Sequence, residues 1–139
     1  MAVDAAGHVG AFVTAGIGPI AATALDAAIP SIHAVGKQVE ALPRVTTARM
    51  FIEDKGWGSF QALAEAGIFA FDWQDVNRVR GFVRAYEAFA APTKPVSLAN
   101  LPQNVERRLR LWAPSTSRAR LWWMFERWCR ASKASWFSA

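Results

Sequence analysis

The stretch DWQDVNRVRGFVRAYEAFAA, Asp72 to Ala91, carries the strongest helical pattern in this sequence of 139 residues, and the predicted fold depends on it. Its apolar residues recur every three to four positions, which is the spacing of one face of an α-helix. Asp72 lies three residues before Asp75, which resembles a capping box with Asp in place of Glu. The stretch therefore predicts an amphipathic core helix. Four charges on its other faces exclude a membrane span: Arg78, Arg80, Arg84 and Glu87.

Two preceding segments also predict helices. VTTARMFIEDKG has Thr46 or Thr47 as a possible N-cap and Gly56 as its end. In WGSFQALAEAGIFAF, Ser59 can cap a helix that carries Phe60, Leu63, Ala64 and Gly67. No alternating run of β-branched residues and no Asn-Gly turn indicates a strand. The sequence therefore predicts an all-α protein of several short helices, with no independent large core.

The N-terminal segment, residues 1–43, is apolar and rich in Ala and Gly. Val9 to Leu25 contains no charged residue, and its length is borderline for a membrane span. An Asp inside a span costs roughly 2.5–3.5 kcal/mol, and Asp26 interrupts this region. Two interpretations follow: a membrane-associated helix, or a buried helical hairpin broken at Pro19 and Pro30. We favour the hairpin, with Asp26 at a turn or N-cap.

Charge divides the rest of the chain. Residues 1–91 carry seven basic and nine acidic side chains, a net charge of −2, whereas residues 92–139 carry nine basic and two acidic ones, a net charge of +7. The change coincides with a Pro-rich stretch. We predict a helical body at 44–91, a linker at 92–102 and a basic aromatic tail at 103–139. The tail is predicted to begin with a short helix, QNVERRLRLW, that ends at Ala113-Pro114. The charge of the tail suggests a polyanionic partner, either phosphate backbone or lipid headgroups.

The tail ends in SRARLWWMFERWCRASKASWF, Ser117 to Phe137, which combines four tryptophans with four arginines and a lysine. Leu121 and Phe125 share a helical stripe with Trp128, so part of this aromatic content is explained by packing. Three partners remain open: nucleic acid stacked on the rings, a membrane interface, or neighbouring subunits. The residues expected at such a contact are Trp112, Arg118, Arg120, Trp122, Trp123, Arg127, Trp128, Arg130, Trp136 and Phe137.

The sequence contains no recognisable catalytic or metal-binding pattern. The single cysteine, Cys129, is better explained as a packed apolar residue than as a nucleophile, and His8 and His33 stand alone. No Gly-rich phosphate loop or nucleophile elbow is present. We therefore expect a protein that is not an enzyme and that uses no cofactor and no metal.

One short stretch resembles a known family. GWGSFQALAEAG, Gly56 to Gly67, is similar to the region of mitochondrial ATP synthase subunit g that begins Gly-Ser-Phe. That family continues with a membrane helix that contains a Gly-x-x-x-Gly contact. Here Asp72 and Asp75 exclude an ordinary span, and Gly67 is too far from Gly81 for that contact. The resemblance covers about a dozen residues and transfers no functional residue.

These features together predict a function. We expect a non-enzymatic structural or assembly subunit of a mitochondrial inner-membrane complex, with ATP synthase favoured over a respiratory-chain complex. Its expected partners are the other subunits of that complex and membrane lipid headgroups. Nucleic acid is the less favoured partner. The alternative is an RNA-associated subunit, such as an organellar ribosomal protein.

Overall fold

The structure is a computed structural model, and it describes residues 1–4, 6–14, 18, 20, 32–51, 58–73 and 86–112. These residues form five strands, three α-helices and one 3₁₀ turn. The strands are β1 (Ala2–Val3), β2 (Val9–Val13), β3 (Ala48–Met50), β4 (Phe69–Trp73) and β5 (Tyr86–Pro92). The helices are α1 (Ile32–Glu40), α2 (Gly58–Glu65) and α3 (Gln103–Trp112), and Leu98–Asn100 forms a 3₁₀ turn.

The strands form one mixed sheet in the order β1-β2-β4-β5-β3. Strands β2 and β4 run parallel, and the other three neighbouring pairs are antiparallel. A parallel pair needs a crossover connection, and α1, β3 and α2 all lie between β2 and β4 in the sequence. The chain therefore has an α/β fold.

The all-α prediction is wrong, and the stretch on which it depended shows why. Strand β4 ends at Trp73 and strand β5 begins at Tyr86, so both ends of the predicted 72–91 helix are strands; residues 74–85 lie outside the described part. Ala is a strong helix former, yet Ala88, Ala90 and Ala91 are all buried in β5. Burial between two neighbouring strands and under a helix overrides this local preference.

Two other helix predictions fail for the same reason. The apolar block that begins at Val9 starts as strand β2, paired with both β1 and β4. The helix expected after Thr47 is instead the edge strand β3. One prediction is confirmed in part, because α2 forms around Phe60 but ends before Gly67, and Phe69 already belongs to β4. Another is confirmed, because QNVERRLRLW forms α3. Helices α2 and α3 carry their apolar residues on one stripe, which tertiary packing can bury without changing the local structure.

The described helices cover one face of the sheet. Ala11 of β2 and Ala70 of β4 are register partners and so share that face. Ala11 packs with α1 and α3 through Val35 and Leu109, whereas Ala70 packs with α2. The largest core cluster thus joins β2 and Ile68 to helices from both ends of the described chain.

A glycine ends α2 and starts β4. Gly67 has a φ of +88°, which a residue with a side chain rarely adopts. Its N–H donates to the carbonyl of Ala64, and the N–H of Ile68 donates to the carbonyl of Leu63, the two bonds of a Schellman motif. Leu63 and Ile68 also pack in the same cluster. The turn therefore connects α2 directly to β4, the central strand of the sheet.

Candidate functional site

The described residues leave the predicted contact surface of the tail largely untested. Trp112 is the last residue of α3. The other nine predicted residues lie outside the described part of the chain: Arg118, Arg120, Trp122, Trp123, Arg127, Trp128, Arg130, Trp136 and Phe137. Asp26, Pro19, Pro30 and Cys129 also lie outside it. The candidate site described below is therefore a different one.

Strand β3 is the last strand at one edge of the sheet, among the residues that the structure describes. Its hydrogen bonds to β5 alternate along the strand. The N–H of Thr93 donates to the carbonyl of Thr47 at 2.9 Å, and the N–H of Phe51 donates to the carbonyl of Phe89 at 3.0 Å. In an antiparallel ladder the residues between such pairs direct their N–H and C=O groups to the other side. Ala48 and Met50 therefore present these groups to the open edge.

The opposite strand agrees with this alternation. Ala48 has Pro92 as its register partner, and Pro92 has no N–H to donate. A proline is tolerated here because the pair of Ala48 and Pro92 is one that exchanges no backbone hydrogen bonds. Arg49, which pairs with Ala91, is the central residue that bonds to β5.

Hydrogen bonds of threonine hydroxyls fix the residues just before β3. The hydroxyls of Thr47 and Thr93 are 2.6 Å apart, and the Thr93 hydroxyl lies 2.9 Å from the carbonyl oxygen of Thr47. The N–H of Lys94 donates to the Thr46 hydroxyl at 3.1 Å. These bonds join β3 to the chain that leaves β5, so the edge is positioned before any partner arrives.

Glu65, the last residue of α2, also bonds to the segment that precedes β3. The carbonyl of Glu65 accepts from the N–H groups of Val45 and Thr46, at 2.8 and 3.0 Å. Its carboxylate accepts from Gln61 at 2.8 Å and lies 3.1 Å from the Nε of Arg44. Glu65 therefore links the helix to the edge strand through both its backbone and its side chain.

The side chains of β3 point alternately to the two faces of the sheet. Ala48 and Met50 pack against the cluster that contains Phe60 and Phe89. Arg49 is exposed on the opposite face, and its guanidinium carbon lies 5.4 Å from the ring centroid of Phe51. At this distance the cation and the ring attract one another. The strand is thus anchored by two side chains and displays an exposed cation.

The described surroundings of this edge are basic. Arg49, Arg44 and Lys94 are exposed cations, and Arg44 keeps 69% of its side-chain area open to solvent. The described acidic neighbour, Glu65, is mostly covered, with 17% of its side chain exposed, and already bonds to Arg44 and Gln61. Glu53 and Asp54 follow in the sequence and lie outside the described residues. The described edge therefore presents net positive charge to a partner.

A second feature lies on the face of the sheet opposite the helices. Phe12 stacks on Phe71 with ring centroids 4.8 Å apart, and Tyr86 meets Phe12 and Trp73 edge-on at 5.1 and 5.0 Å. A Cβ placed on Gly18 would lie 2.8 Å from the Tyr86 hydroxyl oxygen, so this glycine permits a close approach to the cluster. These contacts form a packed aromatic layer.

Tyr86 of this layer has a perturbed ionisation. Burial raises the pKa of its phenol above the ordinary value of 10.0, and the nearby carboxylate of Asp72 raises it further. Asp72 is itself 4% exposed, and its register partner on β5 is Glu87. The phenol therefore stays protonated at neutral pH. Its described contacts are those of a packed side chain, and the notable chemistry of the described chain lies at the β3 edge instead.

Within the described ranges, no group of three His, Cys, Asp or Glu side chains is arranged to hold a metal ion. In the same ranges, no helix has the length and apolar character needed to cross a membrane.

The prediction from sequence missed the β3 edge, although a signal was present. Val45, Thr46 and Thr47 are consecutive β-branched residues, which favour strands over helices. The two threonines were interpreted as helix N-caps because a Gly follows at a helical distance. The exposed Arg49 between two apolar residues is the alternation expected of a half-buried strand.

Comparisons of this chain with models of known protein families, with curated proteins and with solved structures found no match. The described residues define an α/β protein whose edge strand, β3, has basic surroundings and no strand paired with its outer side within the described ranges.

Proposed function

We propose that this protein is a non-catalytic assembly subunit of a multi-protein complex and that it binds another subunit through the edge strand β3. The observation that carries the proposal is the arrangement of Ala48 and Met50, whose backbone groups point away from β5 at an edge held by Thr47 and Glu65. Exposed strand edges of this kind bind extended segments of other proteins, with the main-chain hydrogen bonds supplying affinity.

The setting proposed for the complex comes from the sequence. A mitochondrial inner-membrane complex accounts for the low content of charged residues and for the Trp- and Arg-rich tail. The resemblance of Gly56–Gly67 to subunit g favours ATP synthase over a respiratory-chain complex. In that setting lipid headgroups contact the tail and neighbouring subunits contact the sheet edge. The proposal concerning β3 is independent of which membrane complex is involved.

The test replaces the native chain by a tagged copy, followed by gentle solubilisation of membranes and native gel electrophoresis. The tagged chain is expected to migrate with a large complex. Ala48→Pro removes an outward N–H and leaves the bonds between β3 and β5 intact, so it is expected to release the chain from the complex. Gln103→Pro is the matched control, because proline is tolerated at the first position of a helix.

Two results would contradict the proposal. One is recovery of the unmodified chain as a monomer outside any complex. The other is full incorporation of the Ala48→Pro variant at the level of the Gln103→Pro control. Far-UV circular dichroism of both purified variants establishes that each retains the fold.

The alternative proposal is an RNA-associated subunit, and the charge of +7 over residues 92–139 favours it. Lys94 and Arg107 are the exposed cations of this region for which the structure gives positions. This alternative predicts that RNA affinity falls steeply between about 50 and about 200 mM salt, because bound cations release counterions from the phosphates. Affinity that is unchanged over this range would exclude it.

A further inference from the structure

We infer that the partner segment at β3 is extended and acidic, and that it adds to the sheet as a strand with a carboxylate side chain opposite Arg49. This inference rests on the proposed function, since it names the kind of partner that the edge accepts.

The backbone sets the geometry. Ala48 and Met50 each offer one N–H and one C=O to the open side of β3, and they are separated by one residue. An added strand can therefore exchange hydrogen bonds with both, at a spacing of about 4.8 Å from β3. In an antiparallel pairing, the partner residue opposite Arg49 belongs to a pair without hydrogen bonds, in which side chains approach most closely. The side chain of Arg49 therefore contacts the facing side chain of the partner segment.

The positive charge around β3 determines which side chains favour binding of a partner segment. Arg49, Arg44 and Lys94 surround the edge as exposed cations. Opposite charges on directly facing residues stabilise a strand pair, and like charges destabilise it. An extended segment with Glu or Asp at its centre therefore complements the edge, and a segment with Lys or Arg there does not.

The same charge argues against a second copy of the chain as the occupant. Two β3 strands that pair antiparallel with their outward groups matched would align Ala48 of one copy with Met50 of the other. In that register Arg49 of one copy lies directly opposite Arg49 of the other, at the closest side-chain distance in the ladder. Facing arginines at an exposed edge destabilise this pairing.

The experiment uses the full chain and two labelled peptides, Thr-Val-Thr-Glu-Thr-Val-Thr and the same peptide with Lys in place of Glu. Fluorescence anisotropy measures both affinities. The unmodified chain is expected to bind the Glu peptide about tenfold more tightly than the Lys peptide, from the difference between attractive and repulsive facing pairs. Arg49→Glu is expected to reverse this order. Ala48→Pro is expected to abolish binding of both peptides, whereas Gln103→Pro leaves it unchanged.

Amide hydrogen exchange measured by NMR locates the peptide. Bound Glu peptide is expected to slow exchange at Ala48 and Met50, the two residues whose N–H groups face the open edge. A peptide that binds elsewhere leaves these two amides unchanged, and that result would overturn the inference.

Three further outcomes count against the acidic partner. They are equal binding of the two peptides with no reversal in Arg49→Glu, no binding of either peptide at millimolar concentration, and a concentration-dependent dimer in which Ala48 and Met50 become protected. The last result identifies a second copy as the occupant. In each case, if the Ala48→Pro variant is absent from the native complex, the proposed assembly function is still supported. A failure of the acidic-partner inference can therefore be distinguished from a failure of the proposed function.

Discussion

The ring of Phe60 on α2 stacks on the ring of Phe89 on β5, with centroids 4.2 Å apart and planes inclined by 21°. Phe89 lies at a register shift, where Ala90 pairs with Ala70 but Ala88 pairs with Phe71. The irregularity turns Phe89 to the same face as Ala90, so that both pack beneath α2. The small residues around it let the helix approach the sheet closely. This contact fixes the helix against the strand that borders the candidate site.

The first prediction concerns this contact. Phe60→Ala is expected to lower the free energy of unfolding by about 3–5 kcal/mol, because it removes a buried ring that is 2% exposed and leaves a cavity. Chemical denaturation measures the loss. Lys37→Ala at an exposed position of α1 is the control, with an expected change within about 0.5 kcal/mol. Equal effects of the two variants would show that α2 does not pack through Phe60.

The second prediction compares two glycines. Gly67→Ala is expected to destabilise the protein by about 2–4 kcal/mol, because φ is positive there and an added Cβ would lie 2.8 Å from the Cβ of Val96. Gly36→Ala is expected to stabilise it by up to about 1 kcal/mol, since Gly36 lies inside α1 with open space around the added atom. Thermal unfolding of both variants should therefore move in opposite directions. A rise in melting temperature for Gly67→Ala would contradict the turn described between α2 and β4.

The third prediction is spectroscopic and uses the fact that Tyr86 is the single tyrosine of the chain. The tyrosinate absorbance of the native protein should develop at a higher pH than that of the chain unfolded in guanidinium chloride, because burial and the Asp72 carboxylate raise the pKa of Tyr86. Asp72→Asn should lower the native midpoint. A native midpoint at or below that of the unfolded chain would be incompatible with a buried Tyr86.

The sign of the accompanying change in stability follows from the same pKa. The native phenol binds its proton at pH values where the unfolded phenol, with its ordinary pKa of 10.0, has lost it. The contribution of Tyr86 to stability is therefore fully present below pH 10.0 and is lost as the pH rises through the native pKa. Denaturation curves recorded on both sides of this window check the direction.

The fourth prediction tests the open edge without a partner. In the free chain the amides of Arg49 and Phe51 should exchange more slowly than those of Ala48 and Met50, because the first two face β5 and the second two face the open side. Residue-resolved hydrogen exchange provides the measurement. Uniform exchange along Ala48–Phe51, or the reverse alternation, would contradict the register.

Parts of the fold were predictable from local sequence. The segments that became α2 and α3 carry their apolar residues on one helical stripe, and each is bounded by a residue that limits a helix, Gly67 for α2 and Pro102 for α3. Such signals act within one or two turns and do not depend on distant neighbours.

The candidate site was not predictable in the same way. The local alternation around Arg49 indicates a strand but does not place Ala48 and Met50 at a sheet edge, which depends on pairing with residues 40 or more positions later. The position of β3 at the edge, and therefore the open direction of its backbone groups, depends on the order of all five strands. A single sequence does not contain that order in any local pattern.

The sequence by itself determined the composition and the concentration of positive charge after residue 91. It also determined α2 and α3, which need only an apolar stripe and a residue that limits the helix. Only the tertiary structure decided that Tyr86–Pro92 is a strand, because the free energy of burying its alanines and Phe89 between β3, β4 and α2 exceeds the helix preference of those residues. The same packing placed Arg49 at an open edge. Strand pairing between distant segments, which no local periodicity encodes, thus decided both the fold class and the candidate site.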